Sequence, residues 1–246
     1  MIEAAIQLPP DVDRHSSLVW EFFGRRCAGV FVDVGANHPT RTSLTAFLEQ
    51  QGWRGVLVEP NPELCLLLRD QRPRSQTFQT AVGNAAMTGE MDLLLGVSDL
   101  HSTLVPRNGD PLSGRSVRLT VRTLNDVLAE ANVERIDFLS LDIEGLELEA
   151  LQGLNLKKYS PQLILIEDKH HTFKKYFHLR RHGYRLVRRT DLNDWYVPAD
   201  SPHTRASLNT LGQRLRLWRK MWLNAPCDNA YKTLRAKILR HKKRAP

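Results

Sequence analysis

Two short apolar runs, each closed by an acid, most restrict the folds open to this chain. The stretch "FVDVGANHPTRTSLTAFLEQQGWRGVLVEP" covers residues 31–60, with Asp33 closing the first run and Glu59 the second. Runs this short and rich in β-branched residues predict buried strands, and the segment between them has helical spacing. The stretch therefore predicts a strand, a helix and a strand, with a small-residue turn at 35–37 after the first strand.

The remaining sequence continues this alternation. Apolar runs in 75–83, 135–145 and 161–171 predict strands, and helical spacing recurs in 61–71, 124–132, 146–154 and 173–183. Residues 91–97 and 116–123 predict β-structure around a polar loop, and 184–198 predicts a hairpin that turns near 191–193. We therefore predict an α/β fold: a doubly wound, mostly parallel seven-stranded sheet with an antiparallel last strand, plus a basic helical C-terminal extension.

The positive charge of the chain is concentrated at one end. The net charge is +8, but from Arg205 onward 12 Lys and Arg residues accompany one acid, Asp228, so the first 204 residues have a net charge of −3. The basicity thus belongs to the tail and does not by itself indicate a nucleic-acid-binding enzyme. We predict an N-terminal extension (1–28), a catalytic domain (29–199) and a basic amphipathic tail (200–246).

Acids at predicted strand ends point to a nucleotide-like cofactor. In open α/β sheets ligands bind beyond the carboxyl ends of the strands, where Asp33, Glu59, Asp142 and Glu167 are expected. The turn "DVGANHP" has one glycine and lacks the G-x-G-x-x-G pattern that a pyrophosphate requires, which disfavours a dehydrogenase. S-adenosylmethionine has no phosphate. Asp33 can hold its ammonium group, directly or through water, and Glu59 can accept both ribose hydroxyls. A turn or helix-cap aspartate is the structural alternative for Asp33.

An ordered set of motifs identifies a family. "FVDVGANHP", "GWRGVLVEPNPEL", "AVGN", "RTLNDVL", "IDFLSLDIEGLELEALQGL" and "LILIED" together resemble the FkbM family of S-adenosylmethionine-dependent methyltransferases over about residues 29–198. The resemblance implies a class I methyltransferase fold and methyl transfer, most often to a hydroxyl of a sugar or natural product. The candidate cofactor-binding residues are Asp33, Gly35, Ala36, Asn37, Ser43, Glu59, Pro60, Ala81, Val82 and Asp142.

Methyl transfer to a hydroxyl needs help in removing a proton, so polar residues at the predicted rim are the catalytic candidates. These are His38, Asp142, Glu144, Glu167, Asp168 and His170, with His171 beside them. A histidine can act as the base, or the acids after two strands can together hold a divalent cation. Glu144 is alternatively a first-turn acid that complements a helix dipole, and we expect Glu147 and Glu149 on that helix's solvated face.

The tail allows more than one partner. Leu208, Leu211, Leu215, Trp218 and Trp222 form a helical stripe among basic residues. This pattern fits an anionic membrane surface, or docking onto the catalytic domain or a second subunit. Without a signal-peptide or membrane-spanning pattern, we expect a cytoplasmic protein, peripheral at the inner face of a membrane if the first interpretation holds.

Rival functions receive less support from the sequence. A nucleic-acid amino-methyltransferase would carry a (D/N/S)PP(Y/F/W) run after its fourth strand, where this chain has "DIEG". The sequence-based conclusion is an O-methyltransferase acting on a carbohydrate, glycolipid or related acceptor. The alternative is a non-catalytic scaffold that presents the basic tail.

Overall fold

The computed structural model describes residues 14–41, 43–96, 112–168 and 173–206. The chain divides into two compact units, Met1–Leu165 and Ile166–Pro246. The predicted tail helix, His170 and His171 lie outside the described residues.

Seven strands form one sheet in the order β3-β2-β1-β7-β8-β10-β9. Their bounds are β1 Val30–Val34, β2 Arg54–Val58, β3 Ser75–Phe78, β7 Phe138–Leu141, β8 Leu163–Glu167, β9 Tyr184–Thr190 and β10 Asn193–Pro198. A second sheet has the order β4-β6-β5, from β4 Ala81–Val82, β5 Gly89–Gly96 and β6 Leu112–Arg122. β1 pairs in parallel with β2 and β7, whereas β9 and β10 are antiparallel. The predicted mostly parallel, seven-stranded α/β fold is confirmed.

Helices alternate with these strands along the chain. They are α1 Arg14–Phe22, α2 Ala46–Gln50, α3 Pro62–Gln71, α4 Leu124–Glu130, α5 Glu147–Gln152, α6 Leu156–Tyr159, α7 Phe173–Arg181 and α8 His203–Ala206. The start of α3 follows from local chemistry: the Asn61 side chain accepts the Glu63 N–H, and Pro62 occupies the first turn. Of the described helices, none is both long and apolar enough to cross a membrane.

The strand register places the ends of three central strands at one edge of the first unit. Val34 is level with Val58 of β2 and with Leu141 of β7. Residues 31–34 and 55–58 are buried, because these central strands are covered on both faces. Gly35, Glu59 and Asp142 therefore follow directly at the same edge of the sheet.

One local prediction differs from the structure, and one segment without a predicted element contains a helix. Residues 75–83 were predicted as one strand, but Thr80 turns the chain between β3 and β4: its hydroxyl donates to the Thr120 carbonyl oxygen at 2.6 Å, which starts the second sheet. The N-terminal extension contains α1, whose Trp20 packs edge-to-face on Phe47 at 5.2 Å between ring centroids. Ser16 Oγ of this helix also donates to the Ser43 carbonyl oxygen at 3.1 Å.

Candidate active site

The turn after β1 is fixed by backbone hydrogen bonds and by a close contact. The N–H groups of Gly35 and Ala36 donate to the Val58 carbonyl oxygen at 2.9 and 3.2 Å. Gly35 has φ +80°, and a Cβ built there would lie 1.9 Å from the Asp142 carbonyl oxygen. Both the positive φ and the missing side chain are required, because the turn passes directly against the end of β7.

Glu59 ties this turn to the end of β2. Its Oε2 accepts the Asn37 N–H at 2.8 Å, and its Oε1 accepts the Asn61 N–H at 2.9 Å. The side chain is only 5% exposed. An ionised carboxylate can accept about four hydrogen bonds, so these two backbone bonds are compatible with acceptance from ribose hydroxyls as well. Glu59 thus orients the first turn while its acceptor chemistry suits a ribose.

A buried cysteine contacts the backbone of Glu59, and its thiol is not a nucleophile. Cys65 is fully buried and its Sγ donates to the Glu59 carbonyl oxygen at 2.8 Å. Burial, and then the Glu59 charge, raise the pKa of Cys65 to about 12. The thiol therefore stays protonated at neutral pH and acts as a packed hydrogen-bond donor.

Asp33 lies in β1, two residues before Gly35. Its Oδ2 accepts the Thr45 hydroxyl at 2.7 Å, and Arg72 Nη2 donates to that same hydroxyl oxygen at 3.1 Å. Burial raises the pKa of Asp33, while Thr45, Arg72 and Ser140 act in the opposite direction. Thr45 occupies the N-cap position of α2 without a side-chain cap hydrogen bond, so its hydroxyl donates to Asp33 and this contact gives Asp33 a structural role. Its contact with the cofactor ammonium group stays a prediction.

Arg72 organises the segment between the turn and α2, and sequence reasoning missed it. Its guanidinium pairs with the buried carboxylate of Glu49, and Nη1 donates to the Pro39 carbonyl oxygen at 3.1 Å and to Ser43 Oγ at 3.3 Å. Arg72 is 4% exposed although it lies in a run of charged residues, "RDQRPR", that is typical of a solvated loop. No local pattern in the sequence marks it as buried.

Ser43 is used by the fold in several ways. Its Oγ accepts the Ala46 N–H at 3.1 Å at the start of α2, in addition to its bond with Arg72. The side chain is 8% exposed. Its predicted cofactor contact stays a prediction, and the structure gives its hydroxyl a role in shaping the turn segment.

His38 folds back over the first turn. Its Nδ1 accepts the backbone N–H groups of Arg41 at 3.1 Å and Thr40 at 3.3 Å. While these bonds are made, Nδ1 carries no proton, so the neutral ring presents Nε2–H. Asn37, which has φ +52°, accepts the His38 N–H through its own side chain at 2.7 Å. His38 is half-buried in the turn, and its catalytic role stays a prediction.

The segment after β7 brings two acids close to the first turn. The Asp142 N–H donates to the Val34 carbonyl oxygen at 3.0 Å, and the Asp142 side chain is exposed. Glu144 follows with φ +53° and is half-buried. Because α5 begins at Glu147, Glu144 precedes its first turn. The backbone contact that requires a glycine at position 35 thus also positions Asp142. Among the described residues of the first unit, Asp142 is a candidate catalytic carboxylate.

The expectation for Glu147 was wrong. This residue is 3% exposed, and its Oε1 accepts the Gly145 N–H at 2.7 Å. The carboxylate folds back to satisfy a backbone donor just before α5, so it faces the chain and not the solvent. Glu149 is partly exposed.

In the second unit, two candidates lie at the end of β8 and differ in burial: Glu167 is its last residue and Asp168 follows it. Glu167 is half-buried, and its carbonyl oxygen accepts a hydrogen bond from Lys175 Nζ at 3.2 Å. Asp168 is 4% exposed and forms an ion pair with Lys175, 2.9 Å between Nζ and Oδ1. A buried ion pair is a structural use of Asp168, and its catalytic role stays a prediction, as does a divalent cation held by acids after β7 and β8.

The segment that contains the predicted cofactor-binding residues Ala81 and Val82 is closely packed. Ala81 and Val82 are buried, and β4 aligns them with Val121 and Arg122 of β6. A Cβ built on Gly153, at the end of α5, would lie 2.3 Å from the Gly83 carbonyl oxygen, so α5 packs directly on this segment. Pro60 is half-buried directly after Glu59. The contacts of these residues with cofactor stay predictions.

Comparison with known protein families shows the family to which the chain belongs. A family model described as the methyltransferase FkbM domain matches residues 33–186, from Asp33 in β1 to β9. The chain belongs to this family. The resemblance of the sequence motifs to FkbM methyltransferases is thereby confirmed, and the protein is an S-adenosylmethionine-dependent methyltransferase.

Solved structures resemble this FkbM methyltransferase only distantly. The methyltransferase domain of METTL16 is 14% identical, with 74% of this chain and 65% of that chain covered and a TM-score of 0.43. A methyltransferase from Geobacter sulfurreducens is 14% identical over 76% and 80% of the two chains, with a TM-score of 0.40. A TehB-like SAM-dependent methyltransferase from Corynebacterium glutamicum is 12% identical over 75% and 85%, with a TM-score of 0.39.

These likenesses carry no argument about substrate. This chain spans less than two thirds of the METTL16 domain, 65%. No curated protein matches the sequence. The fold assignment therefore rests on the sheet order and strand directions of this FkbM methyltransferase itself.

The residues at the sheet edge fit the cofactor of the family. Glu59 is an acceptor-only group at the end of β2, which suits two ribose hydroxyls. The single glycine of the first turn is used for the contact with Asp142 and not for a phosphate, in keeping with a cofactor that has none. Glu59 and the turn from Gly35 to Asn37 would hold S-adenosylmethionine, which supplies an electrophilic methyl group on sulfonium.

Proposed function

We propose that this FkbM methyltransferase transfers a methyl group to a hydroxyl oxygen of a carbohydrate, glycolipid or related natural-product acceptor. The observation that carries the proposal is the position of Asp142: an exposed carboxylate directly after β7, at the edge where the cofactor-binding turn lies. A carboxylate at this position can accept the hydrogen bond of an acceptor hydroxyl and take up its proton. The "DIEG" sequence there supplies acids in place of the proline-aromatic run that suits a flipped base.

The chain's own residues divide the task into holding and deprotonating. Glu59 and the first turn fix the cofactor, so that the acceptor oxygen can approach the methyl group in line. His38 lies in that same turn. Its Nε2–H can donate a hydrogen bond to the acceptor oxygen and so orient it. Asp142, with Glu144 after it, receives the proton as the carbon–oxygen bond forms.

The distinguishing experiment identifies the atom that is methylated. S-adenosylmethionine labelled with ¹³C in its methyl group would be incubated with pooled sugars and glycolipids, and separately with polyamines and single-stranded nucleic acid. The proposal expects carbon shifts of O-methyl products from the first pool. Methyl groups found only on nitrogen would contradict it.

A matched pair of variants links the product to the site. Asp142→Asn should lower kcat about 100-fold or more, the usual contribution of a positioned base. Titration of the same variant with S-adenosylhomocysteine measures whether Asp142 also contributes to cofactor binding. Glu149→Gln, a partly exposed acid on α5, is the control and should keep full activity. Cofactor binding with no transfer to any pool would instead favour the scaffold alternative, in which the basic tail carries the function.

A further inference from the structure

α7 buries a lysine beside a leucine and exposes an aromatic ring: Leu179 is fully buried on the inner face, as expected, but Lys175 lies there too. Lys175 is buried, 6% exposed, whereas Phe177 is 51% exposed. A helix packed on a sheet normally turns its aromatic residues inward and its lysines outward. Here the inward position holds a cation paired with Asp168, and the ring faces solvent. A single exposed ring is ordinary on a protein surface, so only the residues that surround Phe177 can indicate a partner.

Phe177 belongs to a small aromatic cluster bordered by cations. Its ring centroid lies 5.3 Å from that of Tyr176 and 6.0 Å from that of Phe173. Arg180 Nη1 donates to the Tyr176 hydroxyl at 3.2 Å. Lys174, Arg180 and Arg181 are exposed on the same helix. We call Phe173, Lys174, Tyr176, Phe177, Arg180 and Arg181 together the α7 patch.

The segment that carries the α7 patch contains charges of one sign only. Residues 173–190 contain seven Lys and Arg and no Asp or Glu. Two of these cations are neutralised by buried partners, Lys175 by Asp168 and Arg189 by Asp194. The exposed ones include Arg185 at the start of β9. The outer face of α7 is therefore an apolar cluster in a cationic field, complementary to an anionic surface.

This charge argues against partners from the chain itself. Residues 207–246 carry 11 Lys and Arg and one acid, so docking the tail on the α7 patch would bring like charges together. A second copy using the same patch would do so as well. The rings of Phe173, Tyr176 and Phe177 pack on one another, a compact apolar surface unlike the separated ring faces on which bases stack.

We infer that the α7 patch binds the surface of an anionic lipid bilayer, with Phe177 entering the headgroup region and Lys174, Arg180 and Arg181 contacting lipid phosphates. Exposed aromatic side chains flanked by basic ones are the pattern of interfacial binding, in which apolar burial and electrostatic attraction add. The surface holds the second unit at the membrane independently of the acceptor's identity.

The first experiment measures vesicle binding of the full chain. Vesicles of phosphatidylcholine with phosphatidylglycerol, and of phosphatidylcholine alone, would be sedimented with wild type, Phe177→Ser and the double variant Lys174→Gln/Arg181→Gln. The matched control is Leu66→Ser/Arg69→Gln, which removes an exposed leucine and an exposed arginine from α3 of the first unit. Circular dichroism verifies the fold of each variant.

The inference expects binding only to anionic vesicles. The affinity should fall about fivefold or more in Phe177→Ser and about tenfold or more in the double variant, because each cation near an anionic surface contributes about a factor of five. The α3 control should bind as wild type does. Equal binding by all proteins, or equal losses in the α7 and α3 variants, would overturn the inference.

A second readout locates the contact and separates lipid from nucleic acid. Phe177→Trp should add fluorescence that is quenched by brominated phospholipid, beyond the quenching of wild type. Binding of a single-stranded oligonucleotide should be equal in wild type and Phe177→Ser. Unquenched emission of the new tryptophan, or a loss of oligonucleotide binding with vesicle binding unchanged, would assign the α7 patch to another partner and overturn the inference.

Discussion

The carboxylate of Glu59 accepts the backbone N–H of Asn37 at 2.8 Å, which joins the end of β2 to the turn after β1. The same side chain accepts the Asn61 N–H with its other oxygen. One buried acid thus sets the positions of two loops at the edge of the sheet. The predicted ribose contact is therefore made by a group whose orientation the fold has already determined.

Gly35→Ala should cost both stability and cofactor affinity. The added Cβ would meet the Asp142 carbonyl oxygen at 1.9 Å, and the backbone has φ +80°. Gly183→Ala is the matched control, with φ +82° and nothing within 4 Å of its Cβ. Urea unfolding should show a loss of about 1 kcal/mol for the control and at least about 2 kcal/mol more for Gly35→Ala. Equal losses would mean that the turn does not need its contact with β7.

Asp33→Asn should separate a structural role from a cofactor role. Burial raises the pKa of Asp33, so the folded state favours its protonated form. A raised carboxyl pKa contributes stability at low pH that is lost as pH rises through the folded-state pKa. The asparagine keeps an acceptor for Thr45 without the charge, so its stability relative to wild type should increase from pH 4 toward pH 7. Urea unfolding across this range measures the difference, and a constant difference would contradict the burial argument.

The same Asp33→Asn protein tests the ammonium contact. If Asp33 serves only Thr45 and α2, S-adenosylhomocysteine should bind the variant as tightly as wild type. A loss of affinity in a protein that is at least as stable would establish the contact predicted from the sequence.

Two substitutions of His38 separate its structural role in the turn from the chemical role of its imidazole ring. His38→Asn retains an oxygen that can accept the Thr40 and Arg41 N–H groups now bound by Nδ1, whereas His38→Ala does not. We expect both variants to lose turnover about 10- to 100-fold, since both lack Nε2–H. Only His38→Ala should also lower the unfolding temperature. Full turnover in His38→Asn would remove the imidazole from the chemistry.

How far the sequence predicts this molecule depends on how local each determinant is. The strands on either side of Gly35 and the cap at Asn61 follow from short patterns, and both are confirmed. The Arg72 cluster joins residues up to 33 positions apart, so no local pattern encodes it. Glu147 shows a different limit: its contact is local, but helical spacing predicts a solvated acid and gives no sign that its carboxylate accepts the Gly145 N–H ahead of α5. The sheet edge to which the sequence assigns the site is formed by the ends of β1, β2 and β7, and the buried contacts of Arg72 arise only when the chain folds.

The most direct test of the account is a calorimetric titration with S-adenosylhomocysteine of wild type, Glu59→Ala and the control Glu63→Ala, which replaces an exposed acid in the first turn of α3. We predict that Glu59→Ala weakens binding by about 1.5–3 kcal/mol, as expected for charge-assisted hydrogen bonds. Glu63→Ala should bind as wild type does, and NAD should give no heat. A change of affinity in the presence of EDTA would indicate a divalent cation at the acids that lie at the ends of β7 and β8. Equal affinities in wild type and Glu59→Ala, or binding of NAD in place of S-adenosylhomocysteine, would contradict the central claim that this edge of the sheet is the cofactor site.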